Sequence, residues 1–262
     1  MTSIEFIERA WTSYKKNFWQ FVIALILQMF IVSIPFLIGV LPWIVIFFST
    51  GMNAGVVSLL MSNLGVLSFS IVMFIAGILL SAVLGGGFTR MAYESLRGRT
   101  NYGTMLKTAK EKFWTIIGAD FIVLLTLSVI VAALFVPIIA LNSLSALSQV
   151  SFFYVLIIFS LAALGVIILV IVSIFLIFVN QAIVIDNLKA LEAIKKSFET
   201  ADKNFPSIFF LFLVFFLINI GLENILSIAG SLIVFFVTTP ITLISYTALY
   251  IDRRKKQSHA KA

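Results

Sequence analysis

The sequence predicts an all-α, polytopic membrane protein with six transmembrane helices and three amphipathic helices along one membrane surface. Three observations carry this expectation. The 262-residue chain is 61% hydrophobic and only 11% charged, with a mean hydropathy of +1.16, whereas soluble domains carry about a quarter charged residues. Its apolar runs repeatedly exceed the roughly 20 residues that cross a hydrocarbon core, and they are apolar on all sides, which points to helices rather than to the alternating strands of a barrel. Finally, all 18 lysines and arginines are confined to four segments separated by pairs of apolar runs.

In chain order, IEFIERAWTSYKKNF reads as a helix with Ile4, Ile7, Trp11, Tyr14 and Phe18 on one stripe, and Glu8, Arg9, Lys15 and Lys16 away from it. Such a helix is suited to a membrane surface. The apolar runs behind it are Phe18–Phe48, Ala54–Leu84, Phe113–Ala140, Phe152–Val179, Phe205–Gly221 and Ile225–Tyr250. The first is read as a retained span, because a charged amphipathic helix precedes it and no small-residue cleavage site follows. Kinks are expected at Pro35, Pro42, Pro137 and Pro240. Gly85-Gly86-Gly87 is expected to end the second span, as a flexible joint or a close-packing face.

The four basic segments are Arg9 to Lys16, Arg90 to Lys112, Lys189 to Lys203, and the tail from Arg253. The opposite loops, around Ser49–Asn53, Leu141–Gln149 and Asn219–Asn224, contain no lysine or arginine. By the positive-inside rule both termini face the cytoplasm, in a multi-pass protein of the cell membrane. A net charge of +7 so distributed points to anionic membrane lipids as partners, and not to nucleic acid. Lys15 and Lys16, with Arg253, Arg254, Lys255 and Lys256 after the last span, are the expected lipid-surface anchors.

Adding 187 to the first stripe gives Leu191, Ile194, Phe198, Ala201 and Phe205, and adding 95 takes Ile7, Trp11, Tyr14 and Phe18 to Tyr102, Leu106, Ala109 and Phe113. The second shift also carries Phe18-Trp19 onto Phe113-Trp114 and Pro42 onto Pro137. One membrane domain over residues 1–262 is therefore expected, with three like-oriented units of a surface helix and two spans, at about 1–90, 91–186 and 187–252, and a basic tail at 253–262.

Catalytic inventories are thin. There is no cysteine, and His259, the single histidine, stands in the tail. Serine–histidine, zinc and multi-aspartate lipid chemistry all lack their parts, so neither an enzyme nor a cofactor or metal site is expected. Polar groups at membrane depth remain as candidates. Asp120, with Asn180 and Gln181, forms either a polar pocket near the inner interface or, for Asp120, an ion pair that locks the second unit. Asn219 and Glu223 share one side of the fifth span near the outer face, as a substrate contact or a solvated hairpin. Gln28, near the middle of the first span, is expected to bond a neighbouring helix.

The junctions Lys16-Asn17-Phe18, Lys112-Phe113-Trp114 and Lys203-Asn204-Phe205, and above all LKALEAIKKSFETADKNFPSIFFLF, resemble the six-span membrane domain found ahead of some bacterial glycerophosphodiester phosphodiesterases, and its stand-alone prokaryotic relatives. The resemblance covers nearly the whole chain and brings no catalytic residue with it. The expected role is a non-catalytic scaffold or lipid-interacting module that presents an inner-face belt to lipids, a protein partner or a second copy. The alternative is a transporter or transporter subunit with a cytoplasm-facing polar pocket.

Overall fold

A computed structural model describes residues 2–50, 63–145 and 152–259. Of the loops expected at Ser49–Asn53 and Leu141–Gln149, residues 51–53 and 146–149 lie outside the described residues, while 49–50 and 141–145 are helical. The elements are α1 (Ser3–Lys16), α2 (Phe18–Thr50), α3 (Leu64–Ser95), α4 (Tyr102–Ser145), α5 (Phe152–Leu176), α6 (Val179–Ile185), α7 (Ala190–Asp202), α8 (Phe205–Ile233), a π-helical turn (Val234–Thr238) and α9 (Thr239–His259). Among the described residues, five helical segments are long and apolar enough to cross a membrane: Phe18–Phe48, Leu64–Ser95, Tyr102–Ala133, Leu156–Ile185 and Phe205–Lys256.

The fifth segment has 52 residues and does not run straight. Ser227 leaves the helical region at φ 47, ψ −123. Residues 222 and 230 of an unbroken helix would stand about 12 Å apart. Instead, a methyl group on Gly230 would overlap the Leu222 carbonyl oxygen and lie 2.6 Å from the carbonyl carbon. The backbone folds back on itself at Ser227, beyond the turn expected at Asn219–Asn224, and glycine at 230 permits the approach.

Prolines act differently from one another. Pro35 and Pro42 sit inside an uninterrupted α2, whereas the chain just before Pro240 widens into the π turn. Proline supplies no N–H to the carbonyl four residues back, and its ring crowds that carbonyl. For Pro240 the orphaned acceptor is Phe236. It is taken up by the Tyr14 hydroxyl, which donates to the Phe236 carbonyl at 2.7 Å. Thr239 Oγ1 donates to the Val234 carbonyl at 2.9 Å and occupies a second acceptor of the turn.

That bond alters the reading of α1. Its helix starts on Thr2, whose Oγ1 accepts from the Glu5 N–H at 3.4 Å, and it presents two faces. Phe6, Ala10, Ser13 and Tyr14 are buried against the bundle, while Ile4, at 60% exposed, Trp11 and Phe18 stay outside. Tyr14 thus leaves the expected surface stripe and enters the core. Helix α7 repeats the division, with Ala193, Ser197, Thr200 and Ala201 buried and Leu191 and Phe198 exposed. No separate surface helix precedes Phe113, because α4 runs unbroken from Tyr102.

Helix α3 continues through Gly85-Gly86-Gly87 to Ser95, so the triplet does not end a helix. It is the close-packing face. A methyl on Gly87 would stand 2.8 Å from Met105 Cγ and 3.0 Å from the Met105 carbonyl carbon, and one on Gly86 would press into Ile116. Small residues let helix backbones approach in this way.

Hydrogen bonds draw all four basic segments to one end of the bundle. Asn17 Nδ2 donates to the Gly98 carbonyl at 3.2 Å, and Asn17 Oδ1 accepts from the Thr100 N–H at 3.0 Å. Lys112 Nζ donates to Asn187 Oδ1. Asp186 accepts from the Tyr250 hydroxyl at 2.5 Å and holds Arg254 Nε at 2.9 Å. Arg254, with its side chain 49% exposed, ties the tail to the end of α6, and Arg253, 22% exposed, lies 3.9 Å from Asp252. Lys15, Lys16, Lys255 and Lys256 remain exposed, with Lys15 Nζ 5.4 Å from the Trp11 ring centre and Lys256 3.4 Å from Asp252.

Candidate functional site

The chain breaks between α5 and α6 at Ile177 and Phe178, and the break is held by one side chain. Ser197 Oγ of α7 donates to the Phe175 carbonyl at 2.6 Å and accepts from the Phe178 N–H at 3.1 Å. Both backbone groups opened by the break are satisfied. The short α6 then carries Asn180 and Gln181 into the bundle, with Gln181 only 2% exposed.

There the two amides border a cavity of about 360 Å³. Helix α2 supplies Leu25 and Gln28; α3 supplies Gly85, Phe88 and Thr89; and Asn219 comes from α8. The opposite wall is Thr239, Pro240, Thr242, Leu243 and Tyr246 of α9. Asn219 and Thr239 meet only because the backbone folds back at Ser227. Counting from the basic ends of the helices at about 1.5 Å per residue, Thr89 lies about 9 Å in, Gln28 about 15 Å and Asn219 about 21 Å. The lining thus starts near the basic end and reaches well into the apolar part of the bundle, on the scale of a hydrocarbon core of roughly 30 Å.

Its polar groups fall into two sets. The threonine hydroxyls are spent within their own helices: Thr89 on the Gly85 carbonyl at 3.2 Å, Thr242 on the Thr238 carbonyl at 2.8 Å, and Thr239 on Val234 as above. By contrast, Asn180 Oδ1, Gln181 Oε1 and Asn219 Oδ1 are buried with no hydrogen-bond partner among the described residues. A carboxamide has two donor hydrogens and two acceptor lone pairs, and leaving a buried oxygen unpaired costs about 1–3 kcal/mol. Three such debts on two elements, in residues that line one cavity, are unusual for packing alone, since buried polar groups are nearly always paired.

The cavity redistributes the expected site residues. Asn180 and Gln181 are together as expected, and Gln28 joins them instead of bonding a neighbouring helix. Asp120 is not among the lining residues; its Oδ2 is buried without a partner, and no salt bridge reaches it among the described residues. Asn219 and Glu223 do not form an outer pair: Asn219 faces the cavity, and Glu223, beside the turn, is exposed. Phe88, Thr89, Thr239, Thr242 and Tyr246 had not been singled out. The run Thr238-Thr239-Pro240-Ile241-Thr242, polar inside an apolar stretch, is the signal that marks that wall.

No charged side chain lines the cavity among the described residues, and its polar groups are amides and hydroxyls that hydrogen-bond. No curated protein and no solved structure matches the chain, and nothing found links it to the glycerophosphodiester phosphodiesterases that its junctions resemble. One family does match, over residues 38–251, described as a domain of unknown function, DUF7847. The match takes in every lining residue of the cavity except Leu25 and Gln28, and the chain belongs to that family.

Proposed function

We propose that the protein is a six-span, multi-pass component of the cell membrane with both termini cytoplasmic, and that it works without catalysis by binding a polar ligand in this cavity, as a transporter or transporter subunit would. The observation that carries this reading is that Asn180, Gln181 and Asn219, whose carboxamide oxygens are buried without a partner among the described residues, all line one cavity. A scaffold with a dry centre has no use for them. At about 1.5 Å per residue, the 52-residue final segment would be far too long for one pass, and its fold-back at Ser227 supports reading it as two.

Three like units supply the enclosure. Phe21, Ile116 and Ile208 are fully buried, as are Ala24, Ala119 and Leu211, at the offsets of 95 and 187 that relate the first halves of the units. Asn17 and Asn204 make the same elbow: each Nδ2 donates to the carbonyl four residues back, Ser13 at 3.0 Å and Thr200 at 2.7 Å. The second halves correspond as well. Thr89, Gln181 and Thr247 are buried polar residues, and Met91, Ile183 and Leu249 are fully buried, at shifts of 92 and then 66. The shorter final hairpin accounts for the smaller last shift.

A second reading, a lipid-surface belt, has its own support. Trp19, at 70% exposed, and Trp11 flank a cleft with Lys15 and Lys16 at the α1–α2 elbow, and each cation near an anionic leaflet adds about 1 kcal/mol of attraction. Water access separates the two. The chain has no native cysteine, so an introduced thiol reports alone. A small water-soluble thiol reagent is expected to modify Thr242→Cys and Gln28→Cys but not Ile116→Cys, which is buried away from the cavity. Failure at both cavity positions leaves the belt as the function.

A further inference from the structure

We infer that the cavity takes an uncharged, hydroxyl-rich group of about single-ring size. The inference rests on the cavity being a binding site and adds the chemistry of what it holds. Gln28, Asn180, Gln181 and Asn219 make no hydrogen bond to the protein among the described residues, and neither does the Tyr246 hydroxyl. Every one of these groups both donates and accepts. Their complement is a set of hydroxyls, which also do both. Ammonium or carboxylate ligands use one half of each amide and leave the other half unmatched.

Charge discriminates further. An ion entering at this depth would lose its hydration and find no counter-charge on the lining, and burial of an unpaired ion is strongly unfavourable. The remaining walls, Leu25, Phe88, Ile177 and Leu243, suit the C–H faces of a ring. A volume of about 360 Å³ lies at the small end of ligand sites, which run from roughly 300 to 1,000 Å³. Such a group could arrive as a free sugar or cyclitol, or as the headgroup of a glycolipid.

The test uses the Thr242→Cys chain in phosphatidylcholine nanodiscs prepared without sugar detergents. Thr242 spends its hydroxyl on its own helix, so the reporter leaves the amides intact. Glucose, myo-inositol or octyl glucoside is expected to slow thiol modification about tenfold when present at about ten times its Kd, while glucosamine and glucuronate do not. Protection by octyl glucoside alone assigns the group to a lipid; protection by the free compounds as well assigns it to a soluble ligand. Gln181→Leu in the same chain should abolish protection and raise the melting temperature of the ligand-free protein, because it removes an unpaired buried oxygen. Equal protection by the charged compounds, or a modified thiol that nothing protects, overturns the ligand class and leaves the cavity reading standing. A thiol that is never modified overturns that reading itself.

Discussion

Gly87→Ala and Gly230→Ala are each expected to destabilise the protein by about 1–3 kcal/mol or more, the range for overpacking a filled interior, while Gly85→Ala and Gly221→Ala leave it unchanged or slightly more stable. The four substitutions add the same methyl group in the same two helices. What differs is the neighbour. At Gly87 the methyl meets the Met105 backbone, 3.0 Å to the carbonyl carbon, and at Gly230 it meets the Leu222 carbonyl and Glu223 Cα at 3.1 Å. Backbone cannot rotate aside, so the helices must separate. At Gly85 and Gly221 nothing lies within 4 Å among the described residues, and alanine gains the helix propensity that glycine lacks, up to about 1 kcal/mol. Gly86→Ala should fall between, since its obstacle is the end of the Ile116 side chain. Thermal unfolding in one detergent orders the series. Equal losses at Gly85 and Gly87 would show that α3 and α4 are not in backbone contact.

Tyr14→Phe is expected to lower stability by about 1–3 kcal/mol, because it strands the Phe236 carbonyl that Pro240 has already deprived of its helical donor. The two residues should be coupled. In a Pro240→Ala background residue 240 regains an N–H that can serve Phe236, so Tyr14→Phe should do less damage there; additive losses would mean that the hydroxyl acts elsewhere. Burial also pushes the Tyr14 phenol up from 10.0 to about 12. The folded state therefore favours the neutral phenol, and the contribution of Tyr14 is complete below pH 10 and disappears as pH rises through about 12. Between pH 10 and 12 the parent chain should lose stability that Tyr14→Phe does not lose. Identical alkaline profiles would contradict the buried bond.

Helical class and membrane character were legible because the solvent writes them into composition: an apolar run has no other stable use at such length. The confinement of cations to four segments was equally plain, and the bonds from Asn17 to Gly98 and from Arg254 to Asp186 join those segments at one end. What could not be read was which face of an amphipathic helix meets protein. Phe6, Ala10 and Ser13 make a second stripe on α1 whose partner, α9, lies more than 200 residues away in sequence. Nor does periodicity say where a hairpin turns. Placing the turn at Asn219 put that residue at the outer surface, whereas the turn at Ser227 leaves Asn219 two helical turns deeper, in the cavity wall. Asn180 and Gln181 were found by their cost at membrane depth alone, without their partners, because four other segments complete the site.

Both the cavity's depth and the meeting of Asn219 with Thr239 depend on the chain crossing the membrane six times, and impermeant thiol labelling in intact cells tests this most directly. With single cysteines at Thr12, Lys195, Glu223 and Lys256, all exposed in the fold, six passes with a cytoplasmic amino terminus leave only Glu223→Cys labelled before permeabilisation. Labelling of Lys256→Cys from outside, with Thr12→Cys protected, would mean an odd number of crossings and would remove the enclosure on which the site is built.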